Sequence, residues 1–186
     1  MRLFVAIQIP ADIRAAFTSF LKGLAVIAPR VKWVRAENLH VTLKFLGNTD
    51  PAKLAPLQKS LSTVHSPEPV TLDFQGLGFF PSEKRPRVFW AGMESSPNLK
   101  SLAQDVDRAV HQVGFPLEDR SFTPHLTLAR FNPPGVPPML STVAHENAAR
   151  RFGSFTTREF HLIGSKLKPS GAEYTTLQSF MFVAES

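Results

Sequence analysis

A four-residue phrase occurs twice in this chain, His40-Val41-Thr42-Leu43 and His125-Leu126-Thr127-Leu128, and it restricts the possible folds more than any other feature. In an extended strand, residues i and i+2 share a face. Each His-x-Thr therefore presents an imidazole and a hydroxyl side by side, while Val41, Leu43, Leu126 and Leu128 turn towards a core. The other four histidines lack this partner: two positions after His65, His111, His145 and His161 stand Pro67, Val113, Asn147 and Ile163. A single strand histidine is ordinarily a structural residue satisfied by a hydrogen bond. Two copies in matching contexts point to a site built from both.

The surroundings of the two phrases repeat as well. Residues 2–9 read as a strand, and from Ala11 the apolar positions Ile13, Ala16, Phe17, Phe20, Leu21 and Leu24 follow the helical period. An extended stretch over 31–46 carries the first motif. Asp50-Pro51 then marks a helix start, with Leu54, Leu57, Leu61 and Val64 as its apolar stripe. Strands are expected near 69–79 and 87–93. Ser96-Pro97 begins a further helix that buries Leu99, Leu102, Ala103, Val106, Ala109, Val110 and Val113 and closes at Gly114. The second motif follows within 121–130, then a weaker helix near 140–151 and strands near 155–166 and 174–183. The motifs lie 125 − 40 = 85 residues apart in a chain of 186, so the expected architecture is α+β, one domain over 1–186. Two lobes related by a pseudo-twofold axis would set both His-x-Thr strands facing one cleft. Pro133-Pro134-Gly135-Val136-Pro137-Pro138 reads as a surface loop within it, because amphipathic elements resume afterwards.

Composition narrows the chemistry. There is no cysteine, which excludes disulfides, thiolate zinc sites and a cysteine nucleophile. No apolar run approaches the roughly 20 residues that span a bilayer, and Met1 to Pro10 is too short and too strand-like for a signal peptide. No membrane partner and a cytoplasmic location are therefore expected. Lysine and arginine number 21 against 15 acidic residues, a net charge of +6 that favours anionic partners such as RNA. Basic residues gather around the first motif (Lys32, Arg35, Lys44) and in Lys84-Arg85-Pro86-Arg87. Trp33, Phe45, Phe79, Phe80, Phe89 and Trp90 lie among them, and one or two could stack on bases.

Two imidazoles facing across a cleft suit phosphodiester cleavage. With ordinary pKa values of about 6.5, one can accept a proton while the other donates one near neutral pH. The threonine hydroxyls can donate hydrogen bonds to the phosphoryl oxygens on which charge accumulates. No metal or other cofactor is needed for these roles. A zinc site would require three or four His, Asp, Glu or Cys ligands, and here each motif histidine is followed by threonine with no carboxylate at i+2 or i+4. Gly-x-Ser-x-Gly, a P-loop and Gly-x-Gly-x-x-Gly are all absent from the sequence.

At these residues the chain resembles a known family. Glu37-Asn38-Leu39-His40-Val41-Thr42-Leu43-Lys44-Phe45-Leu46-Gly47 and Pro124-His125-Leu126-Thr127-Leu128-Ala129-Arg130 are similar to the paired motifs of the two-histidine (2H) phosphoesterases. Arg2-Leu3-Phe4-Val5-Ala6-Ile7 and Tyr174-Thr175-Thr176-Leu177 are similar to the bacterial and archaeal RNA 2′,3′-cyclic phosphodiesterases, historically called 2′-5′ RNA ligases. The resemblance implies a bilobal fold with antiparallel sheets around a central cleft and helices outside. It implies metal-independent hydrolysis of a terminal 2′,3′-cyclic phosphate on RNA, tRNA halves being one source, to a 2′-phosphomonoester, by a monomer. His40 would protonate the leaving 3′ oxygen and His125 would activate water. Thr42 and Thr127 would hold the phosphate, with Arg130 as a further anion contact. Strict alternation puts Arg130 on the face opposite His125, so the strand must end or bulge there. Lys44 shares the face of His40 by parity, against which stands the reading of a solvated charge at a strand end. A 2′-5′ ligase, a phosphodiesterase acting on another small cyclic phosphoester, and a non-catalytic RNA- or nucleotide-binding module are the alternatives.

Overall fold

The structure is a computed structural model in which residues 1–131, 137–169 and 171–183 are described. Positions 133–136 of the expected proline-rich loop lie outside the described residues. In chain order the elements are β1 (Arg2–Gln8), α1 (Ala11–Ile27), β2 (Lys32–Trp33), β3 (His40–Asn48), α2 (Leu54–Leu61), β4 (Val70–Phe80), β5 (Val88–Ser95), α3 (Asn98–His111), β6 (Leu126–Arg130), α4 (Met139–Glu146), β7 (Arg151–Thr157), β8 (Glu159–Lys168) and β9 (Gly171–Met181).

Local signals account for most of these. α1 buries Ile13, Phe17, Leu21 and Leu24, one per turn of its apolar stripe. The Asp50 side chain accepts a hydrogen bond from the Ala52 amide at 2.9 Å, capping a 3₁₀ turn over Pro51–Lys53 from which α2 continues. α3 carries six buried apolar residues, and Gly114 leaves it with φ +83°, a conformation glycine adopts without a Cβ penalty. The last helix is shorter than its expected 140–151. Asn147 turns its side-chain amide back onto the Val143 carbonyl at 2.8 Å, and Arg151 already opens β7. The single strand expected near 155–166 is two strands, broken at Arg158.

All strands join in one antiparallel sheet, ordered β7-β4-β5-β6-β3-β1-β8-β9, with β2 added against β6. The expected lobes thus share a single sheet, and its midline is the seam between the two motif strands. That seam holds one residue pair, Val41 with Leu126, both fully buried. Val41, Leu43, Leu126 and Leu128 belong to the same core cluster as the apolar faces of the helices. On β1, Leu3, Val5 and Ile7 join that core while the alternating Phe4 and Ala6 pack on the opposite face with Ile163 and Tyr174.

The halves are interlocked. α1, which follows β1, packs across β7 and sets the Phe17 ring on Phe152 (centroids 4.5 Å) and edge-on to Phe74 of β4 (5.5 Å). Gly153 in β7, at φ +128°, permits this approach: a Cβ there would strike the Ile13 side chain. Among the described residues, no helix is long and apolar enough to cross a membrane.

Candidate active site

Register builds the site. Because β3 and β6 run antiparallel and pair at Val41 and Leu126, one step along each strand sets His40 across from Thr127 and Thr42 across from His125. The imidazoles occupy one diagonal of this square and the hydroxyls the other. All four project from the face opposite the helical core, since the intervening Val41 and Leu126 point into it.

Each imidazole is oriented in the same way. His40 Nδ1 donates to the carbonyl of Asn38 at 2.7 Å, and His125 Nδ1 donates to the carbonyl of Thr123 at 2.9 Å. A carbonyl can only accept, so both neutral rings carry their proton on Nδ1 and keep Nε2 for chemistry. Both anchors are backbone atoms two residues upstream.

The walls differ. Phe4 and Tyr174 pack against the His40 ring at centroid distances of 4.6 and 5.4 Å, whereas Phe80, itself against Trp90, meets the His125 ring edge-on at 5.1 Å. Burial is the largest influence on His40. With the nearby charges of Arg130 and His125 it overcomes the Asn38 hydrogen bond and lowers the pKa from 6.5 to about 4. Burial also raises the Tyr174 hydroxyl above its ordinary value, opposed by Arg130 and Arg2. Phe80 and Trp90 of the His125 wall were singled out in the sequence as aromatic residues that could stack on bases, whereas neither the wall of Phe4 and Tyr174 nor either carbonyl anchor was among the residues expected at the site. Tyr174 and Phe4 stood in the resembling segments, but the carbonyls of Asn38 and Thr123 leave no side-chain signal.

Bulges decide what else reaches the cleft. On β6, Ala129 pairs with Phe89 but Thr127 with the adjacent Trp90, so Leu128 is an extra residue and Arg130 returns to the face of Thr127. This is the irregularity that strict alternation demanded. The same insertion occurs on β3: Lys44 pairs with Val5 but Thr42 with the adjacent Ala6, so Leu43 is extra. Lys44 is therefore turned off the face of His40, contrary to its parity, and it is not a solvated strand-end charge either. It is 3% exposed, with Nζ 2.7 Å from Asp107 Oδ1, 3.2 Å from Glu118 Oε1 and 2.8 Å from the Pro116 carbonyl. By the same shift Phe45, 55% exposed, takes the position on β3 that Arg130 takes on β6.

Beyond their single pair the motif strands diverge, and a cavity of about 350 Å³ fills the gap, reaching from Thr42 and His125 to Phe45, Lys100, Gln104 and Arg120. Among the other basic and aromatic residues singled out in the sequence, Phe89 is fully buried. Lys84, Arg85 and Arg87 lie exposed in the connection from β4 to β5, next to Phe80.

Known proteins resemble this chain along nearly its whole length. A family model described as LigT-like phosphoesterase matches residues 7–90 and 92–174. The chain is 36% identical over 180 residues to an RNA 2′,3′-cyclic phosphodiesterase of Archaeoglobus fulgidus, covering 97% of this chain and 99% of the relative. A protein of the same description from Thermus thermophilus is 34% identical, with 100% and 92% covered. Among solved structures, a Thermus thermophilus protein superimposes with a TM-score of 0.78 at 30% identity over 100% of both chains. Escherichia coli LigT complexed with 3′-AMP gives 0.76 at 28% identity over 98% of both. A matched model that spans both His-x-Thr strands, and a fold that brings them to one seam, identify this chain as a member of the LigT-like phosphoesterases.

Proposed function

We propose that the protein hydrolyses terminal 2′,3′-cyclic phosphate on RNA to a 2′-phosphomonoester, with His40 and His125 as acid and base. The observation that carries this reading is the diagonal pair of imidazoles, each held by a backbone carbonyl through Nδ1. An in-line displacement at phosphorus needs a base on one apical oxygen and an acid on the opposite one. The water oxygen bonds to phosphorus as its proton passes to His125 Nε2. The bond from phosphorus to O3′ breaks as O3′ takes the proton of His40, leaving phosphate on O2′. Thr42 and Thr127, on the other diagonal, donate to the non-bridging oxygens, and Arg130 adds positive charge on their face.

Burial keeps His40 neutral in the free site, so the acid must be charged by its substrate. An anionic phosphate between the two rings supplies the opposite charge that favours imidazolium. Every role is filled by a side chain, which supports catalysis without metal. The curated relatives are described as acting on RNA 2′,3′-cyclic phosphate, and the net charge of +6 suits the same polyanion. In this reading the enzyme works as a cytoplasmic monomer on RNA ends such as those of tRNA halves.

An oligonucleotide ending in 2′,3′-cyclic phosphate, incubated with the protein in the presence and absence of excess chelator, tests the proposal. The expected product is the 2′-monophosphate at an unchanged rate. No turnover, a 3′-monophosphate product, or a rate abolished by chelation and restored by a divalent ion would overturn it.

A further inference from the structure

The two catalytic strands are entered differently. The segment leading to His40 is strapped to β6 by backbone pairing: β2 pairs Lys32 with Arg130 and Trp33 with Ala129, and the Val34 amide donates to the Leu128 carbonyl at 2.8 Å. The segment leading to His125 has no such ladder. From Phe115 to His125 it is irregular, and among the described residues no strand lies beside β3 where β2 lies beside β6. Among the described residues, every hydrogen bond made by residues 116–122 ends on Lys44 or on Asp107. Lys44 Nζ donates to the Pro116 carbonyl and to Glu118 Oε1, and the Glu118 amide donates to Asp107 Oδ2 at 3.1 Å. Phe122 adds an apolar contact with the core.

Lys44 stands on β3 where Ala129 stands on β6, each following the extra residue of its bulge. Ala129 is one of the two residues that pair with β2. The position that one half gives to a backbone ladder is thus given, in the other half, to a buried lysine whose ammonium replaces the missing strand. The strapped segment ends at Thr123, whose carbonyl orients His125, so the tether acts on the ring through its anchor.

We infer that Lys44, with Asp107 and Glu118, is a positioning residue for His125: an ionic strap that holds the 116–123 segment so that the Thr123 carbonyl keeps the imidazole in its Nδ1–H form. The role in turnover rests on the proposed two-histidine hydrolysis. The orientation of the ring does not, and can be measured without substrate.

Lys44→Met keeps the length of the stem and removes the charge. It leaves Asp107 facing an apolar group, so a loss of melting temperature alone would not distinguish positioning from stability. Lys44→Met/Asp107→Leu removes both charges and should recover much of that stability, since an apolar pair can replace a buried ion pair, while the segment stays untethered. Both variants should lower kcat by about tenfold to a hundredfold with little change in KM, the scale of displacing a catalytic group by about 1 Å. In ¹⁵N spectra of the imidazoles at neutral pH, both should release His125 from the Nδ1–H form while His40 retains it. Glu118→Gln, at an exposed carboxylate, should give a weaker form of the same change. Recovery of the wild-type rate together with melting temperature in the double variant would make the strap structural only. Unchanged His125 spectra in folded variants, or equal changes at both histidines, would refute the tether. A wild-type protein inactive on cyclic phosphate would remove the proposed reaction, yet the spectra would still decide the strap.

Discussion

The acidity of His40 is open to direct test, because the structure places its pKa at about 4 and the proposed mechanism asks it to donate a proton. A drop from 6.5 to about 4 corresponds to a preference of about 3 kcal/mol for the neutral ring. At pH 7, about one free molecule in a thousand would then carry the His40 proton. The dependence of kcat/KM on pH reports ionisations of the free enzyme, and that of kcat reports those of the complex. The cyclic diester keeps its single negative charge throughout this range, so a limb near pH 4 belongs to the protein. With His40 as the acid, the active free enzyme carries a protonated His40 and a neutral His125, so kcat/KM should level off near pH 4, where loss of the His40 proton offsets the gain of neutral His125, displacing its optimum to the acid side of the neutral optimum expected from ordinary imidazoles. The corresponding limb of kcat should lie higher, because bound phosphate favours imidazolium.

Rate measurements from about pH 3.5 to 9, with an ¹H–¹⁵N titration of His40 in the absence of substrate, provide the assay. The wild-type bell has the same shape for either assignment, so the residual rate of folded His40→Ala assigns the roles: it should rise with pH to a plateau, and a residual rate that falls with pH would make His40 the base and exchange the two roles. A His40 that titrates near 6.5 in the folded protein would refute the burial argument itself. The sign for stability follows from the same numbers. With the folded pKa depressed, the unfolded chain takes up the proton first, so the His40 contribution is present above pH 6.5 and lost as pH falls towards 4.

Other perturbations separate catalysis from folding. His40→Ala and His125→Ala should each reduce turnover by at least about 10²-fold with circular dichroism unchanged, and the double variant should be little worse than the worse single one. Near-wild-type activity in either folded variant would remove that residue from the mechanism. Thr42→Val and Thr127→Val preserve shape and strand propensity while deleting a hydroxyl. Each should cost about 1 to 3 kcal/mol in kcat/KM with little change in melting temperature, and the reverse pattern would mark the threonines as structural. Gly153→Ala should destabilise by about 1 to 3 kcal/mol in chemical denaturation, because its Cβ meets Ile13 at a backbone conformation with positive φ; an unchanged midpoint would show that α1 can shift to admit it.

What could be seen in the sequence was what depends on period and repetition. Helical stripes placed α1 and α3, alternation put Val41 and Leu126 inside, and the repeated His-x-Thr marked the candidate site before any geometry was known. Parity failed where a bulge intervened. Arg130 carried a visible contradiction, an anion contact on the wrong face, and so the irregularity on β6 could be anticipated. Lys44 carried none, because a charged residue in alternation with His40 looks ordinary, and its burial depends on Leu43 being extra and on Asp107 standing 63 residues away along the chain (107 − 44 = 63). β2 is only two residues long, too short to leave a period, and its partner on β6 is fixed by tertiary structure. The continuity of the sheet across the seam was equally hidden, since it rests on one residue pair.

Two imidazoles of ordinary pKa can share the acid and base duties near neutral pH, and unequal surroundings decide which ring holds the proton in the free site. The centre of this site is nearly symmetric: equivalent strands, equivalent Nδ1 anchors and a diagonal arrangement set by one register. The differences lie one residue outwards. Phe4 and Tyr174 enclose His40 while Phe80 touches His125 from the edge, so the first ring loses more water. Arg130 puts its charge near His40, and the equivalent place on β3 holds the uncharged, exposed Phe45. Backbone pairing fixes the approach to His40, while ionic contacts fix the approach to His125. A duplicated motif supplies two proton-transfer groups in mirrored positions, and divergence of their surroundings makes them unequal: it keeps His40 neutral in the free site, so its acid duty depends on the bound phosphate. Exchanging Arg130 and Phe45 alone should therefore leave the chemistry asymmetric, because burial, the largest influence on His40, comes from β1 and β9 and stays in place.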